Sequence, residues 1–271
     1  MRMRKKPNLL PRLERVEALR VPEPEALAGR WRELLPGCAG VHLELGCGKG
    51  RFTAETAARS PDILLAAVEK VPEALVVAME RAAAAGLNNV RFLDRDVVML
   101  PSFFQPGEAG RIYLNFCDPW PKSRCAKNRL TAPGFLRLYG TVLAPGGELW
   151  FKTDNLPLFE WSLEQFAAEG WELREVTRDL HGQGVTGVMT DYEAKFHAQG
   201  VKINRLVAVK TERTSTTAAG TPPRLRNASL SDAKGRADSL AAFEKQRREA
   251  EEERRQDAEQ KQRQEAEDPC E

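Results

Sequence analysis

Three glycines, Gly46, Gly48 and Gly50, stand together in the segment LELGCGKG, after a short apolar run. Glycines between a strand and a helix let the backbone approach a ligand closely, so this segment predicts a nucleotide-type binding loop. A dinucleotide fingerprint needs glycine at position 51, where this chain has Arg51, and no Lys-Ser/Thr pair follows as in a P-loop. The spacing therefore disfavours NAD, FAD and a P-loop nucleotide.

Several carboxylates end or follow predicted strands near this loop. Glu69 lies 23 residues after Gly46, at the end of the next apolar run, where a carboxylate can accept both hydroxyls of a ribose. Ligands of open α/β sheets bind beyond the carboxyl ends of the strands, so such residues converge on one edge. The alternative is that single strand-end carboxylates cap helices or face solvent. The candidate set is Glu44, Glu69, Asp96 and Asp118.

Two motifs carry a family resemblance. The G-x-G-x-G spacing resembles the first motif of class I S-adenosylmethionine methyltransferases, whose loop contacts a cofactor without phosphates. The stretch DPWPKSR, continued by K..RLT, resembles the signature of bacterial tRNA (guanine-N7)-methyltransferases. The segments LELGCGKGRF, FKTDN, TDYEAKFHAQG and the opening MRMRKKP are similar to that family as well, so the resemblance runs from about residue 1 to 210.

The resemblance implies S-adenosylmethionine as cofactor and tRNA as partner. The cofactor contacts that it implies are Glu44, Gly46, Gly48, Glu69, Asp96 and Asp118, and the substrate contacts are Lys122, Asp154, Thr190, Asp191, Tyr192 and Glu193. Cys125 and Asn128 stand where the family commonly has His and a second Arg, and Asp191 stands where Glu is usual. These departures remove one cationic charge, so they predict an affinity for RNA that is weaker than in the family or is provided by other residues.

Asp118 is the predicted catalytic residue. Guanine N7 carries an exposed lone pair at neutral pH, so methyl transfer to it needs alignment and no general base. Positive charge moves onto the purine as the methyl group transfers, and a nearby carboxylate stabilises that charge where water is excluded. Trp120, two residues on, is expected either to offer an aromatic face to a base or to stiffen a proline-flanked turn.

A basic run follows Asp118 along the chain. Residues 122–129 contain four basic residues and no acid, and residues 1–20 contain seven basic residues against two acids. Such patches suit a phosphate backbone, although a solvated face is the plainer interpretation of the N-terminal one. Further tRNA contacts are therefore predicted at Arg124, Lys127 and Arg129. Two bland alternatives also stay open: Asp154 as a helix cap, and residues 190–193 as a turn with a capping threonine.

The elements that position these residues alternate between short apolar runs and helical stretches. This alternation predicts a parallel α/β sheet. The family resemblance implies its finer form, a doubly wound, mostly parallel seven-stranded sheet of the Rossmann-like class I methyltransferase type with an antiparallel last strand. A helix is expected to end at Leu143, before Pro145-Gly146-Gly147. Strands are predicted at residues 41–45, 63–69, 90–94, 111–116 and 148–153, and residues 171–180 and 202–210 are expected to pair as an antiparallel ribbon.

Three regions are expected along the chain. Residues 1–30 are expected to form a basic N-terminal segment, residues 31–210 the methyltransferase domain that the resemblance implies, and residues 211–271 a linker and charged tail, disordered or partly helical. The last region carries 12 Lys and Arg against 14 Asp and Glu and almost nothing apolar after Phe243. No apolar run is long enough for a membrane helix and no signal peptide is evident, which predicts a cytoplasmic protein without a membrane partner. The five cysteines form no CxxC pair, so neither a metal site nor a disulfide framework is predicted.

Two rival functions remain at this stage. One is a methyltransferase for an exocyclic amine of another nucleic acid or of protein, since NFCDPW distantly resembles an N-P-P-Y motif. The other is a non-catalytic RNA-binding protein that keeps the fold. Asp118 and Trp120 depart from the first pattern, and the intact carboxylates disfavour the second. The leading prediction is a tRNA (guanine-N7)-methyltransferase, and the sequence predicts no oligomeric state.

Overall fold

A computed structural model describes residues 8–217, which contain a seven-stranded sheet with strand order β3-β2-β1-β4-β5-β7-β6. Strands β1 to β5 run parallel to one another, and β7 is antiparallel to both β5 and β6. The predicted fold class and the closing antiparallel ribbon are therefore confirmed. The strands are β1 (Gly40–Leu45), β2 (Ile63–Val68), β3 (Val90–Leu93), β4 (Ala109–Asn115), β5 (Leu143–Thr153), β6 (Glu172–Thr177) and β7 (Asn204–Val209).

Helices connect the strands, and local sequence explains where several of them begin. Pro72 opens the long helix after β2, because its missing N–H is unsatisfied in a first turn anyway. Among the described helices none is long and apolar enough to cross a bilayer. The α-helices are α1 (Leu9–Arg15), α2 (Arg51–Arg59), α3 (Pro72–Ala84), α4 (Leu100–Phe103), α5 (Pro133–Val142), α6 (Leu156–Ala168) and α7 (Asp191–His197).

Helix α5 and strand β5 differ from the expected boundaries. The helix was expected to run to Leu143, but it ends at Val142 and the strand begins at the next residue. Leu143 pairs with Ala109 across a register shift, so the Pro-Gly-Gly segment lies within the strand's span instead of before it. The Pro-Gly-Gly composition predicts a turn before the strand. The pairing of Leu143 with Ala109 extends the strand through this segment, and Ala109 is remote in sequence.

The described part of the N-terminal segment, residues 8–30, packs against the sheet. The Val21 amide donates to the Phe92 carbonyl at 2.9 Å, and Leu13 and Val21 are buried. Arg20 forms an ion pair with Asp94 at 3.3 Å. The predicted basic segment therefore also covers one side of the strand β3 region.

Residues 211–217 also pack on the domain, beyond the boundary predicted at residue 210. The Ser215 amide donates to the Glu169 carbonyl at 2.9 Å, and Thr217 exchanges hydrogen bonds with Thr141. A Cβ on Gly170 would collide with the Arg213 carbonyl, so this glycine lets the segment approach. The body accordingly extends to at least Thr217. Residues 218–271, the remainder of the predicted tail, lie outside the described residues, so that prediction stays a prediction.

Candidate functional site

The glycine loop follows β1 and leads into α2. Gly46, Gly48 and Gly50 have φ values of 80°, 56° and 74°, a region that side-chain-bearing residues rarely adopt. A Cβ built on Gly46 or Gly48 meets nothing within 4 Å, so the loop faces open space there. A Cβ on Gly50 would lie 2.6 Å from the Cβ of Ala78 on α3. The first two glycines thus leave room for a ligand, and the third permits close helix packing.

Glu69 lies beside this loop, as its position after β2 predicts. Its carboxylate accepts the Gly48 amide at 2.9 Å and the Val71 amide at 2.9 Å, one on each oxygen. Burial raises the pKa of Glu69, and the two backbone donors oppose that effect. Each oxygen retains a lone pair, so the geometry leaves acceptors for the two hydroxyls of a ribose.

Glu44 has a more enclosed position than a ligand contact would suggest. Its side chain is buried on β1, where the Thr53 hydroxyl donates to it at 2.6 Å and the Asn115 amide approaches at 3.5 Å. Burial raises its pKa to about 7. Glu44 therefore ties β1 to α2 and β4 beneath the loop, and its predicted contact with a cofactor stays a prediction.

Asp96 follows β3 and serves partly as a helix cap. It precedes the short 3₁₀ helix Val97–Met99 and accepts the Val98 amide at 3.2 Å. This is the capping alternative that single strand-end carboxylates predict. One carboxylate oxygen remains for a ligand, and the cofactor contact at Asp96 stays a prediction.

Asp118 lies in the loop that follows β4, next to β1 in the sheet. Within residues 8–217 its exposed carboxylate has no hydrogen-bond partner, unlike the other three carboxylates. Phe116 and Trp120, on either side of it, have φ values of 53° and 41°, a strained conformation for bulky residues. Strain of this kind accompanies functional loops, and Asp118 is the carboxylate available for new contacts.

The basic run after Asp118 divides into two kinds of residue. Lys122, Arg124 and Lys127 are exposed, at or within the 3₁₀ helix Ser123–Asn128. Arg129 instead donates to the carbonyls of Pro119 and Trp120, at 3.0 and 3.1 Å. The first three remain predicted phosphate contacts. The structure gives Arg129 an internal role, because two of its donors face the chain's own backbone, and its predicted tRNA contact stays a prediction.

Asp154 and Tyr192 meet across the same edge. The Tyr192 hydroxyl donates to Asp154 at 3.1 Å, and burial, together with this neighbouring carboxylate, raises the pKa of Tyr192 to about 12. Tyr192 is 43% exposed. Its ring stacks on that of Phe196, with the ring centroids 4.2 Å apart, and its centroid lies 5.1 Å from that of Phe116. The capping alternative for Asp154 is wrong, since Asn155 caps α6 by accepting from the Leu158 amide. The structure thus brings two predicted substrate residues together.

Helix α7 begins at residues for which the sequence predicts only a turn. Thr190 is its N-cap, and Asp191 and Glu193 lie in its first turn. Thr190 and Glu193 form a reciprocal capping box, and Asp191 pairs with Arg81 on α3 at 3.0 Å. The capping alternative for Thr190 is therefore present. The spacing Thr-x-x-Glu was readable as this signal.

Glu193 is fully buried, so its carboxylate faces the interior instead of making the predicted substrate contact. It accepts the Lys152 ammonium at 2.6 Å and lies 3.0 Å from His181 Nε2. His181 Nδ1 accepts the Thr186 amide at 3.2 Å, which places the ring proton on Nε2. Burial lowers the pKa of Lys152, and Glu193 opposes that effect. Lys152 and His181 were not predicted from the sequence as partners of Glu193. A lysine within the apolar strand ELWFKT indicates a buried charge that needs a partner, so Lys152 could have been found.

Comparisons with known proteins agree with this geometry. Residues 39–206 match a family model described as "Putative methyltransferase". The chain is 43% identical over 217 residues to a tRNA (guanine-N(7)-)-methyltransferase of Geobacillus kaustophilus, an alignment that covers 80% of this chain and all of the relative. The corresponding protein of Clostridioides difficile is 44% identical over 187 residues, which cover 69% of this chain and 87% of that protein. The crystal structure of the 16S rRNA methyltransferase KamB shares the fold, with a TM-score of 0.53 and 20% identity over 68% of this chain and 93% of that one.

Proposed function

Because the chain belongs to the family of tRNA (guanine-N7)-methyltransferases, we propose that it transfers a methyl group from S-adenosylmethionine to N7 of a guanosine in tRNA. The observation that carries the proposal is the exposed Asp118 carboxylate in the loop after β4, which has no hydrogen-bond partner among residues 8–217 and lies beside the open glycine loop after β1. The two strands are parallel neighbours, pairing Glu44 with Tyr113, so both loops leave the same edge of the sheet.

The residues at this edge fit S-adenosylmethionine. The space in front of Gly46 and Gly48 accepts a ligand without phosphates, and Glu69 holds acceptors for ribose hydroxyls. Asp96 follows β3, the neighbour of β2, and so places a further carboxylate at the same ends of the strands as Glu69. The cofactor, when bound, supplies an electrophilic methyl group on a sulfonium. The chain's task is to align a nucleophile with that group.

Asp118 supplies the electrostatic part of the reaction. Guanine N7 needs no deprotonation, so the group required near it is an anion that stabilises the positive charge arriving on the purine. A carboxylate without competing donors is suited to that role. Trp120, 40% exposed and next but one to Asp118, offers an aromatic face against which a base can stack.

The tRNA contacts surround this centre. We assign phosphate contacts to the exposed Lys122, Arg124 and Lys127, and contacts with the substrate nucleotide to Asp154 and Tyr192. Thr190 and Asp191 lie at the N-terminus of α7 beside Tyr192. The finer proposal, by family resemblance, is a guanosine of the tRNA variable loop. A tRNA substrate also favours the cytoplasm as the working compartment.

The test replaces Asp118 by Asn, which keeps the size and removes the charge. We expect single-turnover methyl transfer at saturating S-adenosylmethionine to fall by about 10² to 10³, because one preorganised electrostatic group is lost. Asp62→Asn is the matched control, since Asp62 is exposed and precedes β2 at the opposite edge of the sheet. Mass spectrometry of tRNA nucleosides identifies the product. A full rate in Asp118→Asn, or a product methylated on an exocyclic amine, contradicts the proposal.

A further inference from the structure

The loop that carries Asp118 is strained and therefore needs external support. Phe116 and Trp120 both have positive φ values, which bulky side chains rarely adopt without surrounding contacts that hold them. One end is held where the Phe116 amide donates to the Lys152 carbonyl of β5 at 2.8 Å. The other end, Pro119 and Trp120, has no strand to pair with.

Arg129 provides the support at that second end. Its Nε donates to the Pro119 carbonyl at 3.0 Å and its Nη2 to the Trp120 carbonyl at 3.1 Å. The guanidinium lies over the ring of Trp161 of α6, with the guanidinium carbon 4.4 Å from the ring centroid. A planar fork that uses two donors and also lies over an aromatic ring is a geometry that arginine supplies and lysine does not.

We propose that Arg129 is a positioning residue for methyl transfer: clamped between Trp161 and the Pro119 and Trp120 carbonyls, it holds the Asp118 loop in its reactive conformation. The inference rests on the proposed function for its consequence on rate, whereas the clamp itself is independent of it. In this role Arg129 acts through the loop, by the contacts that it makes with Pro119, Trp120 and Trp161.

The neighbouring cations show the contrast that supports this assignment. Among residues 8–217, Lys122 and Arg124 are exposed and make no ion pair or side-chain hydrogen bond, so their charge is available to a phosphate. Arg129 is only part-exposed, with two donors and one face already engaged. One short basic run therefore contains residues of two different functions.

The first experiment separates charge from geometry with Arg129→Lys. The substitution retains the positive charge but loses the fork, so we expect single-turnover methyl transfer to fall about 10- to 100-fold, the loss typical of a small misplacement at a reacting centre. The affinity for tRNA and its salt dependence should match those of the wild type. Trp161→Leu should give a smaller loss, and combining the two should add little, because both remove one clamp.

Arg124→Ala is the matched control. It removes a neighbouring charge without touching the clamp, so it should lower the slope of log affinity against log salt by roughly 0.7 to 0.9 and leave the single-turnover rate nearly intact. If Arg129→Lys keeps the wild-type rate while Arg129→Ala shows that same slope change, Arg129 is a phosphate contact and the inference is overturned.

A second readout does not depend on activity. Hydrogen exchange of the peptide spanning residues 116–122 should accelerate in Arg129→Lys and in Trp161→Leu but not in Arg124→Ala. Unchanged exchange in both clamp variants overturns the inference even if they lose activity. If the wild-type chain methylates no tRNA, the proposed function fails, and the exchange measurement still decides whether the clamp exists.

Discussion

Replacing Glu193 by Ala should destabilise the domain strongly, because this carboxylate joins three separate parts of it. It accepts Lys152 of β5, His181 of the preceding loop and the Thr190 amide that begins α7. Its removal leaves the Lys152 ammonium, only 8% exposed, with the Val188 carbonyl as its remaining hydrogen-bond partner within the described part of the chain.

The expected loss follows from that burial. Removing one partner of a buried ion pair costs about 3–5 kcal/mol, a large part of the roughly 5–15 kcal/mol by which domains are stable. The measurement is urea unfolding followed by circular dichroism. With a denaturant slope of about 2 kcal/mol per molar, the midpoint should fall by about 1.5–2.5 M.

A matched control and a compensating variant sharpen this test. Asp191→Ala removes an exposed ion pair on the same helix and should cost at most about 1 kcal/mol. The double variant Lys152→Met with Glu193→Leu should recover part of the loss, since it leaves no buried unpaired charge. A midpoint for Glu193→Ala no lower than that for Asp191→Ala would refute the reasoning, because the carboxylate would then be solvated.

Three further predictions use other sites. Glu69→Ala should weaken binding of S-adenosylmethionine in calorimetry by roughly 1.5–3 kcal/mol, and an unchanged affinity would remove Glu69 from the site. Burial raises the folded pKa of Glu44 from 4.5 to about 7, so wild-type stability relative to Glu44→Gln should fall as pH rises through that window and level off above it. The fall is on the order of 3 kcal/mol in urea titrations, and a flat difference would contradict it. A chain ending at Thr217 should melt with the full chain, whereas one ending at Lys210 should melt lower by about 2–8 °C, because it loses hydrogen bonds to the body; equal melting of both would place the boundary at 210.

Elements with strong local patterns were predictable from the sequence. The apolar runs that form β1 to β3, the glycine loop and the carboxylate at position 69 carry their signal within a few residues, and the structure places Glu69 on the loop as expected. The antiparallel last strand was predicted from the family resemblance, whereas the strand order became known only from the structure.

Interactions between remote segments were not predictable in the same way. Arg129 and Lys122 are both basic residues of one run, and only the positions of Pro119, Trp120 and Trp161 distinguish their roles. Glu193 was identified with its motif, but its burial depends on Lys152 and His181, which reach it from other elements. The sequence shows which residues carry a charge. Which groups each charged side chain contacts depends on how the remote segments pack.

The contact between Gly50 and Ala78 has a consequence for how the site responds to change. The Glu69 carboxylate accepts hydrogen bonds from the Gly48 amide and from the Val71 amide, just before α3. Helix α3 then returns to the loop, where Ala78 lies against Gly50. These links close a ring, so a displacement of the glycine loop is coupled to the Glu69 carboxylate. A single extra methyl group at position 78 would push on the whole ring, at a typical overpacking cost of about 1–3 kcal/mol. Side-chain volume within α3 thereby sets how close the glycine loop can lie to that helix.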